Sequence, residues 1–496
     1  MPARPPAARS RRPGRPRRAP GARRRDAGER PAGPLPSAAP QAGAPQAAPP
    51  DPVRLAAVRA YLAFQQGGAF AAEPPPTLWE DAQRRLYVQL LRGMVRHRRL
   101  LEAEVARLAA RPLERLDAAP LALAVLGLYQ LRFLAVAPHA AVFETVQLAP
   151  ALHAQRARGW INAILRAAQR EGLREDATGA AEPLPLAVRT SHPDWLVERW
   201  TRHYGAEGAR AVCEANNRYE GAALRVATER IAPAALVARL AAEGVAVAAH
   251  PLLPGALWCE PLGALLRTES FAEGLCYVQD VSSQLLVEWC APLLRGRVLD
   301  ACAAPGGKLT HLAAQPAAGP ARRWVVGAEV SRPRLAQVRE NLRRLRLGAV
   351  PLLQADARRL PCADGAWDAV LVDAPCTATG MIRKYPELKW RKHLEDLPRL
   401  AGTQAALLDE AARVVRPGGV LLYVTCSLEP EENAGAVDGF LGRHAGFARR
   451  PLAELPPPAG LGADPRTLLS AAGDLLLLPG PRQMGLYAAL LTRRGP

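Results

Sequence analysis

The sequence predicts an α/β fold: a Rossmann-like, doubly wound sheet preceded by an all-helical domain and a small α+β module. Three observations carry this expectation. From residue 281 onward, short apolar strand segments alternate with helical stretches, the pattern of a parallel sheet covered on both faces. Over residues 51–180 the apolar spacing is helical and strand signals are absent. Between the two, short β-like pieces mix with single helices.

Residues 1–50 hold thirteen prolines, and eleven arginines against Asp26 and Glu29. With no apolar period they are expected to be a disordered Arg/Pro-rich tail. They lack the apolar core of a secretory signal, and prolines at this density exclude the amphipathic helix of a mitochondrial presequence. Within 51–180, Leu86, Leu90, Leu91 and Met94 mark one helical face. Leu121, Leu123, Val125, Leu126 and Leu128 lie in a buried helix, and Ile161, Ile164 and Leu165 form a further stripe. A Pro/Ala-rich linker is expected at 179–187.

The module at 188–280 should hold a short helix at 195–204, a strand at 224–226 and a helix at 233–242. Further β-like pieces are expected at 245–248, 264–268 and 277–279. Trp195, Tyr219 and Arg225 are its candidate nucleic-acid contacts, with packing as the competing role. In 281–496 the first strand, 297–300, runs into Asp300-Ala301-Cys302-Ala303-Ala304-Pro305-Gly306-Gly307-Lys308. A second strand, 324–329, ends at Glu329 and precedes a helix over 333–345. A third ends near Asp356, and a fourth, 369–373, at Asp373. A helix with Leu407, Leu408, Ala411, Val414 and Val415 on one face stops at 416–419, and a fifth strand leads to Cys426. Residues 486–492 should add an edge strand.

The formal net charge is +19, of which 11 − 2 = +9 belongs to residues 1–50 and +10 to the rest. That balance suggests a polyanionic partner such as RNA. Only four of the 65 basic residues are lysines: Lys308, Lys384, Lys389 and Lys392. Against such a drift to arginine, a surviving lysine can mark a place that needs a compact ammonium. Lys308 sits in the glycine loop; at Lys389 and Lys392 chance survival is an equal reading. No apolar run is long enough to span a membrane. Eight cysteines without CxxC spacing argue against a zinc site or a disulfide framework and for a reducing, cytoplasmic setting. The expectation is a monomer with neither metal nor membrane partner.

In open α/β sheets, ligands bind outside the carboxyl ends of the strands. Gly306-Gly307 lets backbone approach a ligand closely and aims helix N–H groups at an anionic end. Glu329 follows Gly307 by 329 − 307 = 22 positions, near the offset at which a carboxylate grips ribose hydroxyls. Asp356 falls on the adenine side. The loop is neither GxGxxG nor GxxxxGK[ST], so the ligand that fits is S-adenosylmethionine.

Asp373 and Cys376 flank Pro375 past the fourth strand, and Cys426 ends the fifth. A lone cysteine there would be a small buried hydrophobe. A pair beside a methyl donor suggests attack on an electron-poor ring: cytosine C5 becomes nucleophilic only after a thiolate adds at C6. Either Cys426 or Cys376 can supply that thiolate. A second group must then remove the C5 proton. Asp373 can hydrogen-bond the N3/N4 edge, and the cation of Lys308 should lower a thiol pKa.

The stretches DACAAPGGK (300–308), VDAPCTATG (372–380) and YVTCSLEPEEN (423–433) resemble the RNA cytosine-5 methyltransferases of the Nop/Sun family. Within it the chain is similar to the bacterial enzymes acting on 16S ribosomal RNA, whose NusB-type helical extension is matched by Ala137-Pro138-His139 and by Trp160-Ile161-Asn162. The resemblance implies that Cys426 is the nucleophile and that Cys376 helps to release the product. It also implies that Cys302, Ala303, Ala304, Pro305, Gly306, Gly307, Lys308, Glu329, Asp356 and Asp373 bind the cofactor. Three positions depart from the family pattern: Glu329 stands for a usual Asp, Met484-Gly485-Leu486 for Asp-Gly-Phe, and Phe143 for Asn. Competing readings are the same chemistry on tRNA or another ribosomal cytosine, and a non-catalytic NusB-like RNA-binding module.

Overall fold

The structure, a computed structural model, describes residues 51–70, 79–110, 112–172, 184–218, 221–315 and 323–495. The expected tail at 1–50, most of the linker and Tyr219 lie outside them.

Described residues up to 172 are helical, and apolar stripes from successive helices share one core. Leu90, Leu91, Met94, Leu123, Val125, Leu126, Leu128, Ile161 and Leu165 are fully buried in it. The helix Ala118–Phe133 is buried along Ala122–Gln130, as expected of a helix apolar all round.

Among the described residues twelve strands follow: β1 (Ala222–Val226), β2 (Val247–Ala249), β3 (Ala256–Cys259), β4 (Cys276–Val278), β5 (Arg297–Asp300), β6 (Trp324–Glu329), β7 (Leu352–Gln354), β8 (Trp367–Asp373), β9 (Val415–Thr425), β10 (Phe447–Arg449), β11 (Leu475–Leu477) and β12 (Leu486–Arg493). The first four form an antiparallel sheet in the order β2-β3-β1-β4. One expectation for this module needs correction. Residues 264–268 are not extended: Leu262–Leu265 is helical, and Thr268 caps the next helix by accepting from the Phe271 amide at 3.1 Å. The strand is instead β3, whose four apolar residues are all buried and so show no alternation. The helix expected at 195–204 is present from Asp194, and Gly205, whose φ of 74° takes it out of helical geometry, separates it from a second helical stretch that runs on to Asn217.

The large sheet has the order β10-β12-β9-β8-β5-β6-β7, with β11 paired to β12. The run from β9 to β7 is parallel, and β12 is antiparallel to both β9 and β10. β12 is therefore an interior strand, not the expected edge. Its alternate residues explain why: Ala488 and Leu490 join the core on one face, Tyr487, Ala489 and Leu491 that on the other. A strand apolar on both sides belongs inside a covered sheet. Connections leave β5 in opposite directions, which opens the crevice between β5 and β8.

Candidate active site

Every acidic strand end predicted from sequence lies at this edge. Asp300, Glu329 and Asp373 close β5, β6 and β8, and Asp356 follows β7. Cys426 comes one residue after β9, and Cys376 lies in the loop after β8. The registry Asp373↔Val424 sets the two loops side by side. Their thiols meet: Cys376 Sγ and Cys426 Sγ are 3.3 Å apart.

Two cavities open here. One, of about 440 Å³, is lined by Ala303, Pro305, Gly307 and Lys308 and reaches Tyr385. The other, of about 450 Å³, is lined by Cys302, Glu329, Asp356 and Cys376. Ala304, Arg334, Asp373, Ala378 and Cys426 belong to both walls. All the predicted residues thus border one cavity or the other except Gly306, which lines neither. Its φ of 104° instead turns the chain into the helix Gly307–Ala314, a conformation that favours glycine.

The structure adds a partner for Lys308, whose Nζ donates to Asp373 Oδ2 at 2.6 Å. Burial is the largest single influence and works to lower the Lys308 pKa, but the charge and hydrogen bond of Asp373 together with the nearby Cys426 and Asp300 outweigh it, and the net shift is upward. Cys376 is likewise held well above an ordinary thiol, first by its hydrogen bond with Cys426 and then by burial. Cys376 is therefore a neutral S–H at physiological pH. Burial and the neighbouring Asp373 also raise Asp300, to about 7.

Glu329 is 3% exposed; one oxygen accepts from the Ser331 amide at 2.9 Å, and the other faces Arg334 at 3.4 Å. Asp356 is half-exposed and grips its neighbour Arg358, at 2.7 Å. The set suits an adenosine-bearing ligand: a glycine turn, helix N–H groups, and a buried carboxylate beside a solvent-facing arginine.

Sequence reasoning missed the residue that ties the thiol loops together. The fully buried Glu432 accepts from the Thr377 amide at 2.9 Å, from Gln404 Nε2 at 3.0 Å and from Ser427 Oγ at 2.5 Å, as well as from the Thr377 hydroxyl. The loops also touch through backbone: the Gly380 amide donates to the Cys426 carbonyl at 2.9 Å, and a Cβ at Gly380 would lie 2.8 Å from that oxygen. Arg225, a candidate nucleic-acid contact, is only 6% exposed and faces inward.

A doubly wound sheet reversing at β5, with a glycine loop, acidic strand ends and paired thiols at its carboxyl edge, defines a Rossmann-like methyltransferase. Residues 287–492 match the family described as 16S rRNA methyltransferase RsmB/F, 52–170 match the NusB family, and 192–260 match its RsmF/B-like ferredoxin-like domain. The ribosomal RNA small subunit methyltransferase B of Pseudomonas putida is 38% identical over 81% of this chain and 91% of its own. That of Vibrio cholerae is 35% identical over 89% and 98%. The crystal structure of PH0851 shares the fold with a TM-score of 0.67 at 23% identity, over 89% of this chain and 98% of that one. The chain belongs to the family of 16S ribosomal RNA methyltransferases that includes ribosomal RNA small subunit methyltransferase B.

Proposed function

We propose that this protein methylates C5 of a cytosine in 16S ribosomal RNA in the cytoplasm, using S-adenosylmethionine and a transient bond between Cys426 and C6 of the base. The observation that carries the reading is the 3.3 Å approach of two thiols from adjacent strand ends, Cys426 on the wall shared by two cavities and Cys376 on the wall of one of them. S-adenosylmethionine supplies an electrophilic methyl group when bound. Glu329 and Asp356 hold its ribose and adenine, and the loop from Cys302 to Lys308 its amino-acid end. The target base, out of its stack, takes the neighbouring cavity, where Asp373 accepts from its N3/N4 edge and Lys308 steadies that carboxylate.

The neutral S–H of Cys376 is within hydrogen-bonding distance of Cys426, the sulfur that adds to C6. Addition leaves electron density on C5, where the bound cofactor would supply its methyl group as the methyl–sulfur bond breaks and S-adenosylhomocysteine leaves. Once Cys426 is a thioether, the chief cause holding the Cys376 pKa high is gone. Cys376 then assists removal of the C5 proton, and the Cys426–C6 bond breaks.

The test separates the thiols. Cys376→Ala should accumulate a protein–RNA complex that migrates slowly on a denaturing gel, whereas Cys426→Ser and the double variant should give neither band nor product. Normal cytosine methylation by Cys426→Ser would sink the thiolate mechanism. A band from Cys426→Ser alone would reverse the roles.

A further inference from the structure

Beyond the target-base cavity, the chain after Cys376 makes a turn at Thr379–Met381 and continues through Arg383, Lys384 and Tyr385. The amides of Lys384 and Tyr385 both donate to the Met381 carbonyl at 2.9 Å. Beneath them the buried Arg383 donates to the carbonyls of Arg218 at 2.6 Å and Gly480 at 3.0 Å, and its guanidinium lies 5.4 Å from the Trp258 ring. The segment is therefore fixed from below. What it presents upward is unusual for a surface: a phenol ring 36% exposed on the wall of the cavity that holds Asp373 and Cys426.

Lys384 Nζ lies 5.2 Å from the Tyr385 ring, and no carboxylate among the described residues is within ion-pair distance of it. Arg482, 5.5 Å from the Trp258 ring of the same cavity, also has no carboxylate partner there. An uncompensated cation and an exposed aromatic ring thus border the cavity, with Arg482 close to its Trp258 wall. Swinging a base out of its stack strips the adjacent nucleotide of a stacking partner. Aromatic side chains replace such stacking for any base type, while lysine and arginine track the phosphates.

We infer that this rim is a second nucleotide subsite: Tyr385 stacks on the base next to the target cytosine, and Lys384 pairs with the phosphate joining the two. The inference rests on the cytosine-methyltransferase reading above. The ligand class is single-stranded RNA, and the contact is indifferent to which base is stacked.

The experiment uses the full chain and a 16S ribosomal RNA fragment carrying the cytosine located by bisulfite sequencing. Parallel RNAs have an abasic residue on one side or the other of that cytosine. Tyr385→Ala should raise KM for the intact RNA about tenfold, with S-adenosylmethionine affinity unchanged, and Tyr385→Phe should behave as wild type. One abasic RNA should cost the wild-type enzyme a similar factor and abolish the difference between it and Tyr385→Ala. Lys384→Gln should flatten the salt dependence of RNA binding by about one phosphate contact. Full wild-type affinity for both abasic RNAs would overturn the subsite without touching the methyltransferase reading. Absence of C5 methylation by the wild-type enzyme would instead overturn both.

Discussion

At the scale of single residues, the site is governed by charges that burial prevents from acting alone. Asp300 is 1% exposed beneath the glycine loop, and burial together with Asp373 raises its pKa to about 7. A cationic ligand near it favours the ionised form, so its pKa falls on binding. Binding then releases a proton, and affinity rises as pH climbs through about 7. Calorimetric titration with S-adenosylmethionine between pH 6 and pH 8, each about a unit from that value, should show tighter binding at the higher pH. Asp300→Asn should bind weakly and without that slope; an equal slope in the variant would assign it to another group. Some of this was legible in sequence: a run of β-formers ending in an acid names a strand end, and Pro375 then frees Cys376. Glu432 was not. It adjoins Glu431, which is solvent-facing and ion-paired with Arg199 at 2.5 Å, so the two carboxylates look alike until the loop from Thr377 is brought against them.

At the scale of elements, the small sheet supports the cofactor loop from beside it. Arg225 on β1 donates to the Gly307 carbonyl and to Gln279 Oε1, each at 2.9 Å, and to Thr310 Oγ1 at 2.9 Å. Its guanidinium also lies 5.2 Å from the Tyr277 ring on β4. One buried side chain therefore links two strands of the module to the first turn of the helix Gly307–Ala314. Removing it takes a donor from three acceptors, of which the Gly307 carbonyl keeps Thr310 Oγ1 at 3.3 Å, at about 1–3 kcal/mol for each acceptor left unpaired. Arg225→Ala should weaken S-adenosylmethionine binding about tenfold, since 1.4 kcal/mol of lost loop order suffices, and lower the Tm. Unchanged affinity with a lowered Tm would confine Arg225 to stability. The strands themselves were readable from their apolar runs, and β5 and β6 have the expected limits. The interior position of β12 was hidden because sequence order does not report which edge a returning strand joins.

At the scale of the whole molecule, the helical bundle is joined to the catalytic sheet through the segment that follows Tyr385. Lys389 is fully buried, and burial, with the Arg96 charge beside it, pushes its pKa well below the ordinary lysine range; its Nζ donates to the carbonyl of Arg96 at 3.1 Å, that of Ser191 at 3.0 Å and Asn217 Oδ1 at 2.8 Å. Beside it, Trp390 Nε1 donates to the Val95 carbonyl at 2.9 Å and Arg96 Nη2 to the Arg383 carbonyl at 2.9 Å. Bundle, connecting segment and the long helix Asp194–Asn217 thus converge on one nitrogen, and of the two equal sequence readings of Lys389 the contacts favour the required amine over chance survival. Three acceptors facing one another from different elements suit a compact amine, whereas a planar guanidinium donates in a fixed fork. Lys389→Met should leave them buried without a donor and destabilise the protein by on the order of 3 kcal/mol. Lys389→Arg should not restore the loss. The same junction carries Arg383, which supports the rim of the target-base cavity, so both variants should bind RNA less tightly while binding S-adenosylmethionine normally. Urea unfolding of the two variants, read with both affinities, checks this. Wild-type stability in Lys389→Arg would remove the requirement for an amine, and an undisturbed RNA affinity in both would show that the bundle is anchored independently of the site.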